Sequence, residues 1–416
     1  MRLRFIYFFA CAISLASCKV NVTENIAKQM VKVNVDSMNF IDEFIDDKDI
    51  VILGEASHGD GHTFEIKSDL VKYLVEQKGF NALAFESRDF LEIEYIRGNS
   101  FLQGRLDQNL KKDWVRQWSP WGPAQEIQVL VDVLNTEKID PIGLETYSFS
   151  SELIALELIK QKLEEDNQVG GSVDWELLNN LHVKIFKQVY DQYTAENLQL
   201  YVSILKKLFD RVLSCEKHDM FTVQLIENAI TSAELKYYSS LEANCLNLNK
   251  IITLRDLQMS KNLAWYKEQH PKAKIIVWIA NFHAAKKLSA VTFTGEDDYS
   301  YNDQRVFAEL VTEKYKDHVF SLAFTSSEGE SRMPYEFEGV ELINIRSPKN
   351  SLEKELALRD ISYGFIDFKA LKNKRKYNKE RFHSLMLGYH NQQGDWLNVF
   401  DGLFYIRSNY IAKPIK

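Results

Sequence analysis

Ile50 to Leu53 is a short, unbroken apolar run closed by Gly54, the pattern of a strand buried on both faces. From Thr63 the period changes. Ile66, Leu70, Val71, Leu74 and Val75 recur at spacings of three and four, which predicts an amphipathic helix that Gly79 ends. Ala82 to Phe85 is a second buried strand. Strand, helix, strand in close succession is a βαβ unit, and it predicts neighbouring parallel strands. Before this unit, Met38 to Ile45 reads as a short amphipathic helix. After it, Phe90 to Ile96 is helical, Ser119-Pro120-Trp121-Gly122-Pro123 is a break, and a helix runs on from Gln125. Pro141 to Leu144 and Lys274 to Ala280 are further buried strands. Val306 to Lys314 is a helix, and Val319 to Phe324 is a fifth strand, closed by a turn at Glu328-Gly329-Glu330. Gly339 to Ile345 and Phe400 to Ile406 are strand candidates, Leu352 to Leu358 is a helix, and the basic stretch Lys372 to Arg381 is a solvated loop.

Between Ser151 and His270 the character differs. No proline lies between Pro141 and Pro271, and only Gly170 and Gly171 interrupt the stretch. Leu153 to Leu163, Trp175 to Tyr190, Leu198 to Leu213 and Phe221 to Leu241 all keep helical spacing, which predicts a bundle of antiparallel helices inserted between two halves of a sheet. The fold class is therefore α/β. A mostly parallel β-sheet core is flanked by helices and carries a large inserted helical bundle at about residues 151–270.

The polar residues fall where such a fold binds ligands. Glu55 and His58 follow the first strand, Glu86 ends the second, Glu145 the third, and Asn281 and His283 follow the fourth. In open α/β sheets the carboxyl edge of the strands is the ligand edge. Lys67 sits on the inward stripe of the first long helix. A buried ammonium is costly unless paired, and Glu55 and Glu86 are its nearest partners. A structural ion-pair network would use the same residue types, but four ionisable groups at one strand edge favour a site. Arg255, Met259 and Asn262 share one helix face, so Arg255 is a candidate for substrate binding together with Asn281.

Composition adds limits. The 416 residues are 45% hydrophobic and 12% aromatic, enough for a sizeable core. The net charge of −8 argues against nucleic acid as a partner. Met-Arg-Leu-Arg, an apolar run from Phe5 to Ala16 and Ser17-Cys18 read as a secretory signal, too short to span a bilayer comfortably. Leu15-Ala16-Ser17-Cys18 has the form of a bacterial lipobox, with Cys18 the lipidated first residue; the alternative is an ordinary signal cleaved nearby. The expected organisation is a lipoprotein signal over 1–18, a tether over 19–35 and a folded domain over 36–416. The protein is then exported and anchored by lipid at Cys18 on the periplasmic or surface side of a bacterial membrane, without spanning it. Cys11 leaves with the signal. Export permits a disulfide between Cys215 and Cys245, but their spacing does not establish one.

The chemistry follows from what is present. No Gly-x-Ser-x-Gly elbow, dinucleotide fingerprint, P-loop or Cys/His zinc spacing occurs. Histidine with carboxylates remains. A histidine held by a glutamate takes a proton from water near neutral pH, and the hydroxide attacks an ester carbonyl with no covalent intermediate. Lys67 or a second histidine is then the stabiliser of the oxyanion.

Gly54-Glu55-Ala56-Ser57-His58-Gly59, Lys67 and Phe85-Glu86 resemble the erythromycin esterase family. So do Arg255-Asp256-x-x-Met259-x-x-Asn262, Trp278-x-x-Asn281-x-His283 and the closing stretch from Phe400-Asp401-Gly402 to Pro414. The likeness runs from about residue 36 to the end. Family members have a mixed α/β core with a helical insertion, and several hydrolyse the macrolactone ester of erythromycin-type antibiotics through a histidine that activates water. The resemblance implies His58 as general base, Glu55 and Glu86 as its orienting carboxylates, and His283 as a second catalytic or binding histidine. Ala280 stands where the family usually has another histidine, Lys67 where it has arginine, and His62 where glutamate is common. The expected substrate is a small ester or lactone, with no cofactor. Two other readings stay open: a metal-dependent hydrolase or peptidase, or a haem-binding lipoprotein, on the same fold, with Glu55, His58, Glu86 and His283 as the metal ligands, and a lipid-anchored binding protein without turnover.

Overall fold

A computed structural model describes residues 22–415 apart from 113, 119, 138, 166–172, 188–192, 217–218, 242–243, 295–299, 334–340 and 378. The signal segment and Cys18 lie outside the described residues. Among those described, the strands in chain order are β1 Val31–Lys32, β2 Ile50–Leu53, β3 Ala82–Asp89, β4 Asp140–Glu145, β5 Ile275–Trp278, β6 Val291–Thr292, β7 Val319–Ser331, β8 Ile343–Arg346, β9 Tyr363–Asp367, β10 Phe382–Ser384, β11 Gln392–Gly394 and β12 Gly402–Asn409. One sheet runs β1-β9-β12-β7-β2-β5-β3-β4, with β8 paired to the far end of β7. A small second sheet runs β10-β11-β6. From β12 to β4 every neighbouring pair is parallel; β1, β9 and β8 join antiparallel.

The middle strands are apolar on both sides because both faces are covered. Val51, Leu53, Leu83, Phe85, Ile276 and Trp278 pack into one layer, and Ile50, Ile52, Ala82, Ala84, Ile275 and Val277 into the other. The helix Gly61–Lys78 covers the first layer with Leu70, Val71 and Leu74. Gly79 ends it in the left-handed region (φ 71°), its N–H bonded to the Leu74 carbonyl, as its place after the periodic run predicts.

The predicted bundle is present as Phe149–Glu165, Trp175–His182, Ala195–Ser214, Met220–Ser240 and Cys245–Gln269. It has its own apolar core, which includes Leu156, Ile159, Leu178, Leu198, Leu205 and Leu225. The last helix belongs to both bodies: its Met259, Leu263 and Tyr266 pack into the core of the sheet. Cys215 and Cys245 remain thiols. Among the described residues no helix is long and apolar enough to cross a membrane.

Three expectations need correction. β2 and β3 are parallel but not neighbours; β5, which follows the whole helical insertion, slots between them. A βαβ pattern specifies direction and handedness, not that the gap stays unfilled. β7 does not turn at Glu328-Gly329-Glu330 but runs on to Ser331, because β8 and the end of β12 supply partners for that stretch. The tether predicted over 19–35 is not free chain from residue 22 onward. Val22–Ala27 is a helix with Ile26 and Ala27 fully buried, and β1 pairs with β9.

Gly54 shows how tightly the strand ends meet. A Cβ there falls 2.0 Å from Asn281 Oδ1. Gly54→Ala therefore forces the Asn281 carboxamide off its partners, with an expected cost of about 1–3 kcal/mol that a lowered urea midpoint at unchanged m-value reports.

Candidate active site

The insertion of β5 between β2 and β3 decides the site. It sets the residues after β5 between Glu55 and His58, which follow β2, and Glu86, which lies on β3. The three segments are tied by backbone: Asn281 N–H donates to the Glu55 carbonyl at 2.7 Å, and Ala280 N–H donates to Glu86 Oε2 at 2.7 Å.

Glu55 is fully buried. Its Oε1 accepts from His58 Nδ1 at 3.1 Å and from Trp121 Nε1 at 2.8 Å, and its Oε2 is ion-paired with Lys67. Because a carboxylate only accepts, His58 Nδ1 carries the proton and Nε2 keeps its lone pair. That edge has no protein partner among the described residues, and 28% of the His58 side chain is exposed. The Trp121 ring stands edge-on to the imidazole at 4.8 Å and fixes its tilt. Burial works against a charge on His58, but the Glu55 hydrogen bond and the charge of Glu86 outweigh it and raise its pKa above the ordinary histidine value.

The loop that carries His58 is pinned by Asp60. This buried carboxylate accepts from Ser57 N–H at 3.0 Å, Tyr389 O–H at 2.9 Å and the Asn409 amide at 2.9 Å. Burial pushes it up to about 7 against the hydrogen bonds from Ser331, Tyr389 and Ser57.

A second histidine is held by a second acid. His283 Nδ1 donates to Asp256 Oδ2 at 2.7 Å, and its Nε2 accepts from Arg255 Nη1 at 2.9 Å. Glu86 Oε1 lies 3.4 Å from the same Nε2, so a proton arriving there exchanges the cation contact for an anion contact. Burial opposes that proton, while Asp256 and Glu86 favour it; the net is a pKa above the usual histidine value. Glu86 is buried, which alone would raise its pKa, yet the charges of His283, His58 and Arg255 and the Ala280 N–H bring it down to about 2. Ser87, in the left-handed region (φ 63°), and a register shift between Phe85 and Asp89 bend β3 at this point. Gly143 on β4 admits the bend, since a Cβ there would meet the Asp89 carbonyl at 2.4 Å.

Arg255 links the two halves. Its Nε donates to Glu145 Oε2 at 3.1 Å and its Nη2 to Glu145 Oε1 and to Glu86 Oε1, the latter at 3.2 Å. With Nη1 on His283, contacts among the described residues use four of the five guanidinium hydrogens, and one Nη1 hydrogen has no partner among them. Burial opposes its charge, but Glu145 and Glu86 more than offset that, so Arg255 stays a cation.

The predicted residues thus separate into three groups. Glu55, His58, Glu86, His283 and Arg255 converge. Glu86 does not orient His58 by hydrogen bond, as the resemblance implied; it binds Arg255, His283 and the Ala280 N–H, and acts on His58 through charge alone. Lys67 is sealed beneath Glu55, fully buried and 4.1 Å from the Trp278 ring centroid, so it supports the carboxylate from below and the open cation is Arg255. Asn281 donates to the Phe324 and Met386 carbonyls, both at 2.7 Å, and accepts from Phe324 N–H, which ties β5 to β7 and leaves its carboxamide occupied. Trp121, Glu145 and Asp256 complete the site. Of these, Glu145 is visible in sequence as a strand-end acid and Asp256 as the neighbour of Arg255; Trp121 sits in a stretch whose prolines and glycine signal only a turn.

The four residues considered as metal ligands do not fit that role. The oxygens of Glu55 are taken by Lys67, His58 and Trp121, those of Glu86 by Ala280 and Arg255, and among the described residues no three His, Cys, Asp or Glu side chains are placed to hold one ion.

Residues 75–408 match the family described as Erythromycin esterase. The chain belongs to the erythromycin esterase family. The matched span includes Glu86, Arg255 and His283 and begins after Glu55, His58 and Lys67. This erythromycin esterase family chain is also 22% identical over 397 residues to a Bacillus subtilis (strain 168) protein named as a hydrolase, YbfO, covering 89% of this chain and 85% of that protein. Among solved structures it is similar to one described as a succinoglycan biosynthesis protein (TM-score 0.68, 18% identity, 95% of this chain and 99% of that one). It is similar to a Bacillus cereus protein (TM-score 0.67, 18% identity, 95% and 99%). A histidine-to-asparagine mutant of the erythromycin esterase EreC in its open conformation matches with TM-score 0.65 at 15% identity over 92% of this chain and 96% of that one. At these identities the structures establish the fold alone.

Proposed function

We propose that this chain hydrolyses a carboxylic ester or lactone, with His58 as the base that takes a proton from water. Family membership and the hydrolase relative support hydrolysis; the finer reading rests on one observation, a partly exposed histidine tied through Nδ1 to a buried glutamate, with no protein partner on its Nε2 among the described residues. Water gives its proton to His58 Nε2 as its oxygen bonds to the acyl carbon. The carbonyl oxygen becomes an oxyanion and meets the remaining Nη1 hydrogen of Arg255. The C–O bond to the alcohol then breaks, and the leaving alkoxide takes the proton back from His58. Asp256 holds His283, and Glu86 and Glu145 hold Arg255, so the acceptor of the developing charge is in place before substrate arrives. Lipidation at Cys18 would set this reaction at an extracytoplasmic membrane surface.

The pH dependence tests it. His58 acts only when neutral, so kcat/KM rises with pH, and because its pKa is raised the rise is centred above 6.5. In Glu55→Gln the acceptor loses its charge, the imidazolium loses its main support, and the rising limb moves to lower pH while the plateau falls. A limb that stays where it is in Glu55→Gln assigns the base elsewhere.

A further inference from the structure

The segment that carries His58 is tied to a turn far along the chain. Gly388 N–H donates to the Ala56 carbonyl at 3.2 Å, and one residue on, Tyr389 O–H donates to Asp60 Oδ2 at 2.9 Å. The same carboxylate oxygen takes the Ser57 N–H at 3.0 Å. The backbone on both flanks of His58 is thus fixed. Gly388 holds Ala56, the Asp60–Tyr389 pair holds Ser57, and the Arg332 and Ala412 N–H groups hold the Gly59 carbonyl at 3.3 and 3.0 Å. The turn is anchored to the other half of the site as well. Asn281, two residues before His283, donates to the Met386 carbonyl at 2.7 Å.

Two observations set this turn apart from ordinary packing. Gly388 and Tyr389 both lie in the left-handed region (φ 64° and 60°). Glycine enters it freely, but a bulky aromatic residue does so at a cost and stays only where its surroundings hold it. Here the hydroxyl is held by Asp60, and the Tyr389 N–H by the Leu385 carbonyl at 3.1 Å. The second observation is what Asp60 meets. Its Oδ2 accepts from Ser57 N–H and Tyr389 O–H, and its Oδ1 accepts from the Asn409 amide at 2.9 Å. A carboxylate offers acceptors on both sides; an asparagine would turn its own NH₂ toward one of these donors. The Asn409 amide cannot rotate to relieve that clash without losing the His62 N–H, which its oxygen accepts at 3.1 Å.

We propose that Tyr389 and Asp60 are positioning residues for His58: the Tyr389 hydroxyl holds the Asp60 carboxylate, the carboxylate holds the Ser57 N–H, and the imidazole is thereby kept on Glu55. The inference rests on the hydrolytic reading above and adds to it a device that sets the base from outside the reacting groups. Among the described residues neither side chain is hydrogen-bonded to the His58 ring, so the effect passes through the backbone of Ser57.

The experiment uses 4-nitrophenyl acetate, or whichever member of an ester and lactone panel the wild type hydrolyses fastest. It measures kcat and KM for Tyr389→Phe and Asp60→Asn, alone and in a His58→Ala background. Tyr389→Phe keeps the ring and removes only the hydroxyl. It is expected to lower kcat about tenfold, and Asp60→Asn up to about a hundredfold, the scale of a catalytic group displaced by about 1 Å, with KM changed by no more than about twofold. In His58→Ala no imidazole is left to misplace, so adding either substitution should leave the residual kcat within about twofold. A kcat within about twofold of the wild type in both single variants, or an equal fall with and without His58, overturns the proposal; the second result marks a purely structural role. If Asp60→Asn does not fold by circular dichroism, Tyr389→Phe decides alone. Should the wild type hydrolyse nothing in the panel, the hydrolytic reading fails by itself, and NMR decides the positioning. The His58 Nδ1–H signal, assigned by its loss in His58→Ala, should be present in the wild type and broadened by exchange in Tyr389→Phe. A signal unchanged in that variant, or missing from the wild type, ends the proposal.

Discussion

His58→Ala is expected to lower kcat for ester hydrolysis by about 10²–10⁴-fold, the span that a positioned general base contributes. The fold should survive. The side chain is partly exposed, its one hydrogen bond among the described residues is to Glu55 Oε1, and that oxygen keeps the Trp121 N–H as a donor. Circular dichroism and the urea midpoint should therefore stay near the wild type while turnover falls. Residual catalysis is expected to come from Arg255 and His283, which lie on other segments and do not depend on His58 for position. A kcat within tenfold of wild type, on any ester the wild type hydrolyses, removes His58 from the reaction. His283 is the comparison. It is held by Asp256 and contacts Arg255 and Glu86, so His283→Ala disturbs the oxyanion partner rather than the base. That variant should lose activity without shifting the rising limb of the pH profile.

The parts of this site that could be read in the sequence are those that follow directly from strand ends. Glu55, His58, Glu86, Glu145 and His283 each come at or just after an apolar run, and in a parallel sheet such residues share one edge. Lys67 was legible as an inward ammonium because it sits on the buried stripe of a clear helix. Which partner it met was not, because Glu55 and Glu86 are both acids at the same edge and only the order of strands separates them. That order is a tertiary fact: β5 comes long after β2 and β3 in the chain and is drawn between them by packing on both faces. For the same reason the expected Glu86–His58 bond gives way to one with Arg255 and His283. Trp121 acts through contacts with residues far away in sequence, and nothing local in a Pro-Trp-Gly-Pro turn marks it out; Asp256 is marked only as the neighbour of Arg255, and its hold on His283 is a tertiary fact. The short strands β1, β9, β10 and β11 were missed because their pairing partners, rather than their own apolar period, create them.

Lys67→Met is expected to destabilise the protein by about 3–5 kcal/mol, the cost of leaving one member of a buried ion pair without the other. Lys67 and Glu55 are both fully out of solvent, and Lys67 lies against the Trp278 ring, so no water can replace the ammonium. Burial already pulls the Lys67 pKa below the ordinary lysine value despite Glu55, which shows how much its charge depends on that partner. Methionine fills similar space and removes only the charge. The fall should appear as a lower urea midpoint, and in activity as well, because the Lys67 ion pair no longer holds the Glu55 carboxylate in place beneath His58. The double variant Glu55→Gln/Lys67→Met separates the two effects. With both charges gone, stability should return to within about 1–2 kcal/mol of wild type, whereas activity should stay low. A Lys67→Met variant as stable as the wild type would mean that Lys67 and Glu55 do not form a buried ion pair on which the fold depends, and would take away the support assigned to the carboxylate that holds His58.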